Sequence, residues 1–301
     1  MTAPTLDRAE EAPVASASLE ARRIAKERRF GLFLAAPGYI YLLLLFALPL
    51  VIVVFFSLGR RDRFGQTQFD RLSFDAYGRL GDTIVLEILV RSVVLAVITT
   101  VVCLLIAYPF AYFMATVSPQ WRNILIVLVM IPFWTNFLVR NYAWRVILGN
   151  DGPLSDLTSL VGIGETRLLF TNWSVVLGMV YGFLPFMILP LYASIDRIDG
   201  KLLEASRDLY ASAWQSFRHV LLPLSMPGIL GGSILTFVPS LGAYVTPEIL
   251  GGAKTTLLGS YIVTQFQGAR DWPCGSALSL VLILLMLLSS FMYFRKNAVT
   301  L

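Results

Sequence analysis

Few groups in this 301-residue chain could do chemistry, and their spacing excludes most of it. His219 is the single histidine, so neither a nucleophile–histidine–acid triad nor a histidine metal cluster can be assembled. Cys103 and Cys274 fall in separate apolar runs, a separation that fits neither a metal-binding pair nor a disulfide framework. The string Gly251-Gly252-Ala253-Lys254-Thr255 superficially matches a phosphate-binding loop. However, Ala253 replaces the glycine before the lysine, Glu248 occupies the place of the first glycine, and no strand precedes it. If ATP drives this protein, another chain must hydrolyse it. What remains is a polar segment, Asp196–Pro223, whose residue pattern suits docking rather than catalysis.

The elements that must position that segment follow from composition. The chain is 56% hydrophobic and only 14% charged, with a mean hydropathy of +0.71, against about 25% charged residues in globular chains. A soluble domain of this kind would expose large apolar patches, and disorder is excluded by the hydrophobicity. A net charge of +5 is too small on such a chain to point to nucleic acid. An integral membrane protein is expected. Six stretches approach the roughly 20 residues that cross a hydrocarbon core, with approximate spans 32–58, 90–116, 123–148, 172–195, 224–247 and 274–294. None shows the alternation of a β-barrel strand, so the fold class is an all-α membrane bundle with tails at 1–29 and 295–301.

About thirty polar residues precede the first apolar run without a small-residue cleavage site, so no cleavable signal peptide is expected. Arg22, Arg23, Lys26, Arg28 and Arg29 stand before that run and place the amino terminus in the cytoplasm by the positive-inside rule. Six crossings return Arg295 and Lys296 to the same side. Residues 19–30 fit a short interfacial helix as well as a solvated tail. Pro37, Pro49, Pro109, Pro132, Pro185, Pro190 and Pro239 fall inside spans, where each removes a backbone donor and kinks the helix. Gly178–Gly182 and Gly228–Gly232 form small-xxx-small patterns suited to close helix packing.

Segment 196–223 reads as two short helices. Asp199 caps the first, in which Leu202, Ala205, Ser206, Leu209 and Ala213 recur at helical spacing. Ser212-Ala213-Trp214-Gln215 is a capping box for the second, with Trp214, Phe217 and Leu221 on one face and Pro223 at its end. The pattern alone fits a hairpin that docks into a partner and an ordinary interfacial loop equally.

The string Glu204-Ala205-Ser206-x-x-Leu209-Tyr210-Ala211-Ser212, followed by Leu222-Pro223-Leu224 and Pro227-Gly228-Ile229, resembles the EAA loop of ABC-importer permeases. The resemblance implies a six-helix type I importer permease, MetI-like, whose loop is a coupling helix seated in a cytoplasmic ATPase. Glu204, Ala205 and Leu209 fall on the motif, whereas Ser206 replaces an alanine and Tyr210 the usual glycine. Because tyrosine in a left-handed conformation costs roughly 1–2 kcal/mol, Tyr210 is expected to continue the helix and Ser212 to restart the chain.

A second resemblance, to spermidine/putrescine permeases of the PotB and PotH type, rests on three strings. They are Ile131-Pro132-Phe133-Trp134-Thr135-Asn136-Phe137-Leu138-Val139-Arg140-Asn141-Tyr142-Ala143-Trp144, Pro239–Glu248 with Gly251–Lys254, and Arg270-Asp271-Trp272-Pro273. It implies a polyamine cargo, which aromatic faces and a few carboxylates can guide without trapping. Candidate path residues are Trp134, Thr135, Asn136, Tyr142, Ser240 and Tyr244, with Asp151, Glu248 and Asp271 supplying charge at the outer mouth. Trp144, Trp173 and Trp272 fit an interfacial aromatic belt. Arg140 and Arg145 complicate a cation path, and pairing with Asp151, snorkelling and contact with a binding protein are all open.

The expected protein is a bacterial inner-membrane permease that binds no cofactor itself, with ATP and magnesium on two copies of a partner ATPase. A second permease subunit and a periplasmic polyamine-binding protein complete the implied assembly. Rival readings are a related importer for another small solute (an iron complex, a thiamine-like cation or an opine), a passive channel, and a membrane enzyme.

Overall fold

A computed structural model describes residues 12–62, 66–150, 152–155, 168–252 and 255–297. The chain divides into two compact units, Met1–Phe55 and Phe56–Leu301. The first is built on one helix, α1 (Ala12–Ser57), with Pro37 and Pro49 inside it. The helix begins well within the stretch read as a polar tail, and its Ala35–Ser57 portion is apolar and long enough to cross a bilayer.

The second unit opens with a two-stranded antiparallel ribbon, β1 (Arg60–Arg61) and β2 (Thr67–Gln68), that pairs Arg60 with Gln68. A short helix, α2 (Asp75–Gly78), precedes the first long helix of this unit, α3 (Thr83–Thr116). That helix ends at Thr116, where the span was expected to end, and Ser118-Pro119 starts α4 (Pro119–Trp134) after a two-residue turn. The span expected at 123–148 is not one helix. It breaks at Thr135-Asn136 and continues as α5 (Phe137–Ile147), bent by 90°. Next comes α6 (Asn172–Ile195), opened by a capping box between Thr171 and Ser174.

Segment 196–223 folds as α7 (Gly200–Asp208) and α8 (Ala213–Leu224). Helix α8 runs through Pro223 instead of stopping there, because its Phe217–Leu221 turn is π-helical and widens around the proline ring. A 64° bend at Ser225 then leads into α9 (Met226–Leu241). A single π-helical turn, α10 (Pro247–Gly251), is followed by α11 (Leu258–Val263) and the last long helix, α12 (Trp272–Asn297). Among the described residues four helices can cross a membrane singly. The count reaches six when each bent pair, α4 with α5 and α8 with α9, is taken as one span.

Helices α3, α6 and α9 pack together as the centre of this unit. The buried residues of α3, including Leu95, Ala96, Thr99, Cys103, Ala107, Ala111 and Met114, recur every three or four positions and form one stripe. Apolar residues in lipid gain little from packing on one another, so close contact depends on small side chains. The Gly228–Gly232 pair does this on α9. A Cβ at Gly228 would meet the Pro190 carbonyl oxygen at 2.9 Å, and one at Gly232 the Met187 carbonyl oxygen at 3.0 Å. Gly178 instead accommodates Leu250 and Thr246, so it packs α6 against the α10 turn and not against another span.

Because the obstacle at Gly228 is backbone, Gly228→Val should destabilise the bundle by about 1–3 kcal/mol, read as a lower thermal midpoint in detergent. Gly200→Ala, which faces open space, should leave that midpoint unchanged or slightly raised.

Candidate functional site

The helical hairpin α7–α8 is closed along its inner seam by two hydroxyls. Ser206 donates to the Leu203 carbonyl at 2.8 Å, and its oxygen lies 2.7 Å from Oγ of Ser216 on the facing helix. Both serines are buried, so the departure from alanine at position 206 joins the two helices. The Asp199 side chain accepts from the Lys201 backbone N–H at 3.0 Å and caps α7. Ser212 and Gln215 exchange the two hydrogen bonds of a capping box on α8, as read from their spacing.

Tyr210 overturns the expectation that it would avoid glycine's conformation. Its φ is 59°, in the left-handed region. The Tyr210 N–H bonds the Arg207 carbonyl at 2.9 Å and the Ala211 N–H bonds the Ser206 carbonyl at 3.1 Å. Those two bonds are the Schellman termination that glycine commonly provides. The helix therefore stops where the motif requires, at the cost of strain in a tyrosine. Tyr210 is 97% exposed and Leu209 82% exposed. Glu204, Ala205, Asp208, Ser212 and Trp214 share the exposed surface, while Ala211 is half-buried.

The hairpin is tied to the bundle at three places. Trp214 stacks on Phe217 with centroids 5.3 Å apart, and Phe217 meets Tyr108 of α3 edge-on at 5.4 Å. The Tyr108 hydroxyl lies 3.0 Å from Oγ of Ser225, at the bend into α9. Arg122, near the start of α4, pairs at 3.2 Å with Asp196, where α6 leads into the hairpin. His219 is spent within α8, its Nδ1 lying 3.0 Å from the Gln215 carbonyl oxygen.

The opposite end of the unit is formed by α5, α10 and the start of α6. The Phe170 N–H and the Ser174 hydroxyl both donate to the Leu250 carbonyl, each at 2.9 Å. Helix α5 packs against α10. Trp134, Tyr142, Tyr244 and Glu248 are exposed here, whereas Asp151 lies outside the described residues. Thr135 and Asn136 are exposed, but their oxygens build the bend. Thr135 Oγ1 donates to the Pro132 carbonyl at 2.7 Å, and Asn136 Oδ1 caps α5 by accepting from the Leu138 N–H at 2.8 Å. Arg140 neither snorkels away nor stands free. It donates to the same Pro132 carbonyl at 2.8 Å and lies over the rings of Phe137 and Tyr181, 5.3 and 5.8 Å from their centroids. The Arg145 guanidinium lies 5.9 Å from the Phe170 centroid, and Trp144 meets Tyr181 edge-on.

Two expected path residues are corrected. Ser240 is fully buried and donates to the Thr236 carbonyl of its own helix. Asp271 is 1% exposed and already neutralised. Arg79 reaches its Oδ2 at 2.5 Å and Arg61 at 3.4 Å, while Oδ1 accepts the Cys274 N–H at 3.1 Å and caps α12. The hydrogen bond to Asp271 raises the Arg79 guanidinium above its ordinary value, against the opposing effect of burial. Arg61 and Arg79 lie far from Asp271 in sequence, in a loop where basic and acidic residues alternate. Only the cap was legible, from an aspartate just ahead of Trp272-Pro273.

Residues 92–297 match the model of a family described as binding-protein-dependent transport system inner membrane component. The spermidine/putrescine transport system permease protein PotB of Haemophilus influenzae is 40% identical over 259 residues, covering 85% of this chain and 90% of that one. The protein of the same name from Escherichia coli K12 is 40% identical over 261 residues, covering 85% and 94%. In overall fold the chain resembles a solved bacterial alginate ABC transporter in complex with an alginate pentasaccharide-bound periplasmic protein, at a TM-score of 0.71. The sequence identity there is 17%, with 91% of this chain and 97% of that one covered.

Removing the Asp271 carboxylate with Asp271→Ala should cost about 1.5–3 kcal/mol, the range for hydrogen bonds to charged groups, and lower the thermal midpoint. Asp271→Asn keeps a capping oxygen and should lose less. A rise in KM for the transported solute with no change in melting would contradict this structural assignment.

Proposed function

The chain belongs to the family of binding-protein-dependent transport system inner membrane components, and on that footing we propose that it forms the path for spermidine and putrescine in an ATP-driven importer. It is a membrane permease subunit and not an enzyme in itself. ATP and magnesium bind a partner ATPase, present in two copies, and a periplasmic binding protein delivers the polyamine to the outer end. A second, similar permease completes the path. The hairpin end and both termini lie in the cytoplasm.

One observation carries the coupling half of this reading. The α7–α8 hairpin is rigidly closed inside by Ser206 and Ser216, yet leaves Glu204, Ala205, Leu209, Tyr210 and Trp214 uncovered. Such a surface is built to be gripped. When the ATPases close on ATP, they move the hairpin as a unit. Phe217 and Ser225 pass the motion to α3 through Tyr108, and Asp196 passes it to α4 through Arg122. Alternating access needs two states that bind the partners differently, and the bends at Thr135-Asn136 and Ser225 give the spans joints about which to shift. At the outer end, the exposed faces of Trp134, Tyr142 and Tyr244 with the Glu248 carboxylate suit a flexible polycation.

Two measurements test this. Vesicles holding the whole importer should accumulate labelled putrescine or spermidine when supplied with ATP and the binding protein; uptake of neither, alongside uptake of another solute, would retire the polyamine assignment. Glu204→Ala should reduce uptake about tenfold or more and loosen the ATPase, as expected for truncation at an interface hot spot. A passive channel would conduct unchanged.

A further inference from the structure

We infer that Tyr210 is the anchor by which the ATPase holds this permease: its ring enters an apolar cleft on the motor subunit, at the centre of the hairpin tip. This rests on the coupling reading above and adds the residue that sets grip and partner choice.

The argument begins with an anomaly in the backbone. Tyr210 adopts φ 59°, a conformation disfavoured for any residue with a Cβ. The hydrogen bonds that end α7 there use only the N–H groups of Tyr210 and Ala211 and the carbonyls of Arg207 and Ser206. Glycine would make the same turn with the same bonds and without strain. Nor does the ring serve the fold of its own chain, because the residue is 97% exposed. A residue that strains its backbone, and whose ring is uncovered within its own subunit, is accounted for by something outside it.

The surroundings indicate what that is. Leu209 is 82% and Trp214 66% exposed, so an apolar centre formed by Leu209, Tyr210 and Trp214 stands at the tip. Glu204, Arg207 and Asp208 are exposed beside it and supply a charged rim. Aromatic anchors inside a polar rim are the anatomy of a protein interface, and tyrosine and tryptophan are prominent among residues whose truncation costs most binding energy. Tyrosine also loses little conformational freedom on burial, having only two side-chain torsions.

The experiment uses the assembled importer purified with its ATPase, comparing wild type with Tyr210→Gly, Tyr210→Ala and Tyr210→Phe. For Tyr210→Gly the strain is relieved while the anchor is lost. The permease should therefore melt at the same temperature or higher, while its ATPase dissociates about tenfold faster and substrate-stimulated hydrolysis falls. Tyr210→Phe keeps the ring and should keep the ATPase. If Tyr210→Gly retains its ATPase with wild-type kinetics, the anchor is refuted. If it retains the ATPase but melts lower, the ring packs on lipid headgroups or its own subunit, and the proposal is equally overturned. A crosslink from Ala205→Cys to the ATPase separates the two levels: its absence in otherwise wild-type importer overturns the coupling reading itself, whereas its presence together with an indifferent Tyr210→Gly overturns only the anchor.

Discussion

A bilayer core offers no water to a backbone that leaves its helix, so each carbonyl or amide freed there must be met by the chain. Much of what distinguishes this permease follows from how it meets that requirement. At the 90° bend, the Pro132 carbonyl receives both Thr135 Oγ1 and Arg140 Nη1, and Asn136 takes the first amides of α5. At the 64° bend, Ser225 sits fully buried and donates to the Leu222 carbonyl while facing the Tyr108 hydroxyl. At the end of the unit opposite the hairpin, two donors converge on the carbonyl of Leu250. These breaks are built joints, and they place the hairpin at one end and the aromatic residues at the other.

The helices between the joints are held by fit rather than by hydrophobic drive. In lipid a leucine gains little by turning inward, so the interfaces of α3, α6 and α9 are made where small residues let backbones approach. Ala96, Ala107 and Ala111 are fully buried on α3, and Gly228 and Gly232 lie against α6 backbone. Contacts of this kind tolerate sliding and tilting better than interdigitated large side chains do, which suits a bundle proposed to alternate between two states.

Charge is handled in the same economical way. Both arginines nearest the buried Asp271 are drawn onto it, which fastens β1 and the turn after α2 to the start of α12 and neutralises that carboxylate. Arg140 rests on two aromatic rings and a carbonyl, so its charge is stabilised without a carboxylate partner among the described residues. Glu248, beside α5, remains exposed. The hairpin follows a different rule: its buried serines, Ser206 and Ser216, meet each other inside, while Leu209, Tyr210 and Trp214 are displayed.

Hydropathy by itself determined the membrane class and the all-α architecture, because uncharged runs of that length have no other stable home. Local hydrogen bonding between near neighbours was equally legible, so the Asp199 cap, the Ser212–Gln215 box and the two-helix form of the hairpin could be read from spacing. Which face of each span turns inward could not, since lipid-facing and core-facing side chains are alike apolar. The bend at Thr135-Asn136 was hidden for the same reason: the apolar run continues through it, and only the tertiary arrangement brings Arg140 back to the Pro132 carbonyl. Asp271 was misplaced because its partners, Arg61 and Arg79, are distant in sequence. Tyr210 was misjudged because its intrinsic conformational cost was weighed without the closed hairpin that imposes the turn. Local propensities are written in the order of residues; the pairings that override them are made by chain segments that meet only once the bundle has formed.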